Sequence, residues 1–143
     1  MTVMINPSSD AINVIANQVA KCCSQNVLAK DFVHIILSQI SLEDFDLQDQ
    51  KSWVKILSSL FSASLIRTPG IANIRVNHEA VNTNDTGSNR STLEIISNDY
   101  PFLIDSFKMV LDNLGVTCYA IAHPVLSVTR DNTGSLIATP GEL

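Results

Sequence analysis

The 143-residue chain is poor in several things at once. It has five glycines. None falls in a G-x-x-x-x-G-K-[ST] loop or a G-x-G-x-x-G turn, so no phosphate cradle and no dinucleotide fingerprint is written here. No G-x-S-x-G nucleophile elbow occurs. Of the three cysteines, Cys22 and Cys23 are adjacent and Cys118 is remote. That pattern fits neither zinc spacing nor an even disulfide framework, and all three read as structural thiols. His34, His78 and His123 lack ligand spacing to one another or to cysteine, so no metal is expected. His34 reads as a core or boundary residue of a helix, and His123 as a backbone-bonding residue at a strand bend. No apolar run approaches the ~20 residues that cross a bilayer. The start "MTVMINPSSD" lacks a basic region followed by an apolar stretch. The expectation is a cytoplasmic protein with no membrane partner, in which the sequons at Asn84 and Asn89 go unmodified. Positive charge is scarce too: 9 basic against 14 acidic residues leave −5, which argues against nucleic acid as a partner.

What is present is apolar. Hydrophobic residues make up 45% and charged ones 16%, a globular balance. A chain this long forms one domain or two small ones and buries roughly 70% of its unfolded surface. The first half has helical period. Ser9 or Asp10 caps a segment with Ile12, Ile15, Val19 and Cys22 on one face. "AKDFVHIILSQI" aligns Leu28, Phe32, Ile35, Ile36 and Ile40. "DLQDQKSWVKILSSLFSASLIRT" aligns Trp53, Ile56, Leu57, Leu60, Phe61 and Leu65, and stops near Pro69-Gly70.

The second half changes period. Ala72, Ile74 and Val76 alternate with Asn73, Arg75 and Asn77, as in a strand with its apolar side buried. "NTNDTGSNRS" has no apolar residue and reads as a flexible loop. "TLEIIS" is a strand, and "VTCYAIA" and "VLSVTR" are strands bent at His123-Pro124. "RDNTGS" is a hairpin turn with Gly134 at positive φ, returning through "LIAT". The chain then reaches "TPGEL" with nothing left to complete the layer over a four-stranded sheet, which reads as part of a longer polypeptide.

Between the strands lies "SNDYPFLIDSFKMVLDNLG". Asp99 or Asn98 caps this helix, Pro101 sits in its first turn and Gly115 ends it. Leu103, Phe107, Val110, Leu111 and Leu114 form the stripe expected to be buried. Two readings stay open. The junction is a capped corner, or its helix N-terminus seats a carboxylate while Asp99 meets an ammonium group, which would suit an amino acid. Asp99 and Asp105 do not make an acid pair, because helix geometry turns Asp105 outward.

From Ser91 to Leu136 the sequence resembles the N-terminal region of the large bacterial NAD-specific glutamate dehydrogenases. The resemblance rests on N-D-x-P-F-L-x-D-S at 98–106, H-P-V at 123–125 and R-D-x-x-G at 130–134, and covers about a third of the chain. It implies ACT-like regulatory modules, which are ferredoxin-like βαββαβ units, ahead of a catalytic domain. That domain oxidises glutamate to 2-oxoglutarate and ammonia with NAD. The family's catalytic lysine, aspartate and dinucleotide glycines would lie beyond Leu143, so no catalytic or cofactor-binding residue is carried over. Amino-acid-binding ACT modules usually have glycine after the proline. Here Phe102 stands there, as in the glutamate dehydrogenases, and would crowd such a seat.

The expected architecture is α+β: a helical segment over 1–70, then a partial ACT-like (ferredoxin-like) sheet with one covering helix over 71–143. Asn98, Asp99, Tyr100, Phe102 and His123 are the candidate effector or interface residues. The expected function is a non-catalytic regulatory or assembly segment of the NAD enzyme. Its partners would be the rest of its own polypeptide, further copies in a homo-oligomer, and an amino-acid effector. The alternative is a free-standing ACT-like sensing or docking module without enzyme activity.

Overall fold

A computed structural model describes residues 4–79 and 90–142. Ser8 caps α1 (Ser9–Cys22), its Oγ accepting from the Ala11 amide at 3.2 Å, so the cap lies one residue before those expected. The helix buries Ile12, Ile15, Ala16, Val19 and Ala20. Cys22, expected on that face, is exposed; Cys23 packs against the core instead, and burial pushes its thiol pKa up. Ser24 and Gln25, both at φ 57°, reverse the chain. Asn26 then caps α2 (Val27–Ser38), which buries Ala29, Phe32, Val33, Ile36 and Leu37.

A short α3 (Leu42–Phe45), not expected from the sequence, leads to α4 (Gln50–Ser64), whose cap Asp49 accepts from the Ser52 amide at 2.7 Å. Phe45 stacks on Trp53 at 5.6 Å, and its carbonyl accepts from the Trp53 indole N–H. Phe32 meets Phe61 edge-on at 5.2 Å. Among the described residues the large buried apolar side chains lie between Ile12 and Phe61, with one exception, Leu136; Pro7, ahead of α1, is buried as well.

That exception belongs to a hairpin. Strands β3 (Leu126–Arg130) and β4 (Leu136–Glu142) pair antiparallel. The Leu136 amide donates to the Leu65 carbonyl at 2.8 Å, bringing β4 against the end of α4, and β4 also packs on α2. A second hairpin, β1 (Asn73–Glu79) with β2 (Arg90–Ile96), pairs Asn73 with Ile96 through to Glu79 with Arg90. The "NTNDTGSNRS" stretch, apart from Arg90 and Ser91, lies outside the described residues.

The α+β class stands, with four corrections in detail. The described strands form two separate two-stranded sheets, not one of four. "VTCYAIA" is not a strand, having no partner strand among the described residues with which to form a ladder. The helix α5 (Leu103–Asn113) buries no residue: Phe107 is only half-buried, and Val110 and Leu114 are exposed, because neither sheet lies under its apolar side. Finally, β1 has the opposite facing to that expected. Ile74 and Val76 are 62% and 67% exposed, while Asn73, Arg75 and Asn77 face α4.

The facing of β1 has a physical cause. A helix leaves its last carbonyls without partners. Asn73 Nδ2 of β1 donates to the carbonyl of Ala63 in the last turn of α4 and to that of Ile66 just after it, Arg130 of β3 donates to the Ser64 carbonyl at 2.7 Å, and one turn further back Arg75 of β1 donates to the Ser59 carbonyl. The polar side of the strand finishes α4, which outweighs covering two apolar side chains.

Candidate functional site at the junction of three motifs

The loop after α4 is the hub. Arg67 donates through its backbone amide to the Gly134 carbonyl at 3.0 Å, and through Nη2 to Asn98 Oδ1 at 2.6 Å. Its Nη1 reaches the Ile71 carbonyl at 3.4 Å. Next to Asn98, Asp99 Oδ1 lies 3.7 Å from His123 Nε2, with both side chains about half exposed. Two residues on, Val125 is held by Gln39 of the segment after α2: its amide donates to Oε1 and its carbonyl accepts from Nε2, both at 2.9 Å. The N-D, H-P-V and R-D-x-x-G motifs, remote in sequence, are thus joined to the helical core and to one another.

The R-D-x-x-G turn is built by its aspartate. Asp131 Oδ1 accepts from the Thr133 hydroxyl at 2.6 Å, the Thr133 amide at 2.9 Å and the Ser135 amide at 3.0 Å. These donors favour the charged form and hold its carboxyl below the usual aspartate range. Gly134 takes φ +86°, as expected, and a Cβ there would overlap the Arg67 carbonyl oxygen. Beside the turn, burial and then the nearby Arg67 charge lower the Arg130 pKa.

The helix N-terminus differs from its sequence reading. Neither Asn98 nor Asp99 caps α5, and Pro101 stands before the helix, not in its first turn. The N-cap is Phe102, at φ 63°, ψ 14°, without any side-chain cap. Its ring is 79% exposed, and Tyr100 nearby is 53% exposed. Gly115 ends the helix at φ +70°, as expected. His34 is half-buried on α2, and His123 faces Asp99.

The structure therefore links Asn98, Asp99 and His123 to the clasp and leaves Tyr100 and Phe102 as exposed rings. Sequence reading missed Arg67 and Gln39, which carry the clasp. The only local signal was an arginine and a glutamine at the ends of helical stretches, where side chains reach neighbouring backbone. Among the described residues no group of three His, Cys, Asp or Glu side chains could hold a metal ion. The positive-φ glycines Gly70, Gly115 and Gly134 sit in three separate turns, and Gly134 is pressed against backbone. They do not fit a dinucleotide cradle, which needs several glycines in one strand-to-helix turn.

Comparison with known proteins identifies a family. The family model for the glutamate dehydrogenase ACT1 domain matches residues 32–142, a span that contains all three motifs and both clasp residues. The NAD-specific glutamate dehydrogenase of Halomonas elongata is 29% identical over 120 residues, which is 78% of this chain and 7% of that protein. No solved structure matches. The chain belongs to the glutamate dehydrogenase ACT1 domain family.

Proposed function

We propose that this chain is a non-catalytic regulatory or assembly segment of an NAD-dependent glutamate dehydrogenase. The parent enzyme would oxidatively deaminate L-glutamate to 2-oxoglutarate and ammonia, with NAD bound by other parts of the polypeptide. The observation that carries the reading is the clasp. The residues of the motifs spend their polar groups on each other and on backbone, as in Arg67 with Asn98 and Asp131 with its own turn. A group engaged this way fixes a surface; it is not held ready for a substrate. The exposed rings of Tyr100 and Phe102 offer apolar contact area to the remainder of the polypeptide.

The test is NADH formation from glutamate by the 143-residue chain and by the long enzyme carrying Arg67→Ala. The chain alone should give no turnover. The variant should keep its turnover at saturating substrate while its oligomeric state or effector response shifts. Turnover by the chain itself, or a variant that assembles normally but is dead, would reject the reading.

A further inference from the structure

α5 is an 11-residue helix that buries none of its residues. Isolated helices shorter than ~12–15 residues are marginal in water, so a helix this short persists by packing its apolar side on something. Leu103, Phe107 and Leu111 are half-buried, while Val110 and Leu114 on the same side are 51% and 70% exposed. The bond from Arg67 to Asn98 and the pairing of His123 with Asp99 fix the loop that leads into α5 and leave that side open. At a helical rise of about 1.5 Å per residue, the stripe from Leu103 to Leu114 is roughly 17 Å long.

We propose that the apolar side of α5 is the docking surface for the stretch of the parent polypeptide that follows Leu143, and that this stretch lays an apolar face of its own across Phe107, Val110 and Leu114. Glu142, the last residue of β4, pairs with Leu126 of β3. His123 lies three residues before Leu126, a span of at most ~11 Å, and its Nε2 is 3.7 Å from Asp99 at the root of α5. β4 thus delivers the chain beside the start of the uncovered helix. A further ~12 residues of helix, or about half as many of strand, would run the length of its stripe. The matched span is 7% of the relative's length, so such an enzyme has ample polypeptide to supply the cover. A second copy is the weaker occupant. Chains of net charge −5 repel one another, whereas an attached stretch acts at millimolar effective concentration. This docking rests on the reading of the chain as a segment of the longer enzyme, and gives the next stretch its place.

The test compares amide hydrogen exchange over residues 103–114 in the 143-residue chain and in the long enzyme. Protection should be about tenfold or more greater in the long enzyme. Val110→Lys, a change at an exposed position of the chain alone, should leave that chain's urea midpoint where it is and restore fast exchange to α5 in the long enzyme. A photo-cross-linking residue, p-benzoylphenylalanine, in place of Val110 identifies the occupant in enzyme assembled from mixed isotope-labelled copies. Its cross-links should fall within the same polypeptide, in the first ~100 residues after Leu143, the span of one domain. Should Val110→Lys not fold, exchange and cross-linking decide. Equal exchange in the two proteins, or cross-links to a second copy or far beyond that stretch, would overturn the docking and leave the enzyme reading standing. A reading frame that stops at Leu143 would overturn both.

Discussion

Phe102 and Gly134 both adopt positive φ, and only one of them is the residue type suited to it. A left-handed conformation costs a residue with a Cβ about 1–2 kcal/mol. Phe102 bears that strain with its ring mostly in solvent, so little packing is lost on removing it. Phe102→Gly should therefore stabilise the chain by up to about 1 kcal/mol, after the extra entropy of glycine in the unfolded state is subtracted. A shift of the urea midpoint upward at constant slope checks it. The helix-propensity argument gives the opposite sign, since it places Phe102 inside the helix and not at its cap. Gly134 and Gly115 make the complementary comparison. Gly115→Ala meets no atom and should cost about 1 kcal/mol for its φ alone. Gly134→Ala drives a Cβ into the Arg67 carbonyl, which is backbone and cannot swing away, and should cost ~3 kcal/mol or more by the same midpoint measurement.

The β3–β4 hairpin depends on a charged aspartate. In the folded chain Asp131 has a depressed pKa, caused first by the Thr133 hydroxyl and then by the Ser135 and Thr133 amides. In the unfolded chain it titrates near the ordinary value of about 3.9. Between that value and the lower folded one, the unfolded state binds more protons, so stability rises with pH across this window. The contribution is complete above the ordinary value and is lost as pH falls through the folded one. Asp49, held down by its cap bond to Ser52, acts in the same direction at the start of α4. Urea midpoints measured from pH ~5 down to ~2 should fall, and Asp131→Asn should flatten the fall without abolishing it. An unchanged slope in that variant would mean that the turn does not draw on the charge.

Leu136 ties the second half of the chain to the first. Among the described residues it is the one large apolar side chain buried outside residues 1–70, and its amide bonds to Leu65. Leu136→Ala should cost about 2–5 kcal/mol. The loss should appear in the fluorescence of Trp53, which lies in the helical core, 83 residues earlier in the chain. If residues 1–70 were an independent unit, the Trp53 transition would not move while hairpin signals did. Clasp bonds from Arg67, Gln39 and Arg130 work in the same sense, since each joins a helical residue or carbonyl to a later segment.

Local chemistry determined much of this protein. The apolar period set the faces of α1, α2 and α4, since Ile15, Phe32 and Phe61 are buried wherever those helices pack. Glycine with its lack of a Cβ fixed the turns at Gly115 and Gly134, and the three motifs announced the family from residues that are spread along the chain. Tertiary structure decided the rest. Alternation in "IANIRVNH" marks a strand, but which side faces inward depends on what lies beneath it, and the unfinished carbonyls of α4 chose the polar side. The stripe of α5 is equally clear in sequence, yet a stripe is buried only where a partner surface exists. Asn98 and His123 were legible as candidates; their link through Arg67 and Asp99 was not, because no local pattern records which remote side chain a loop will meet.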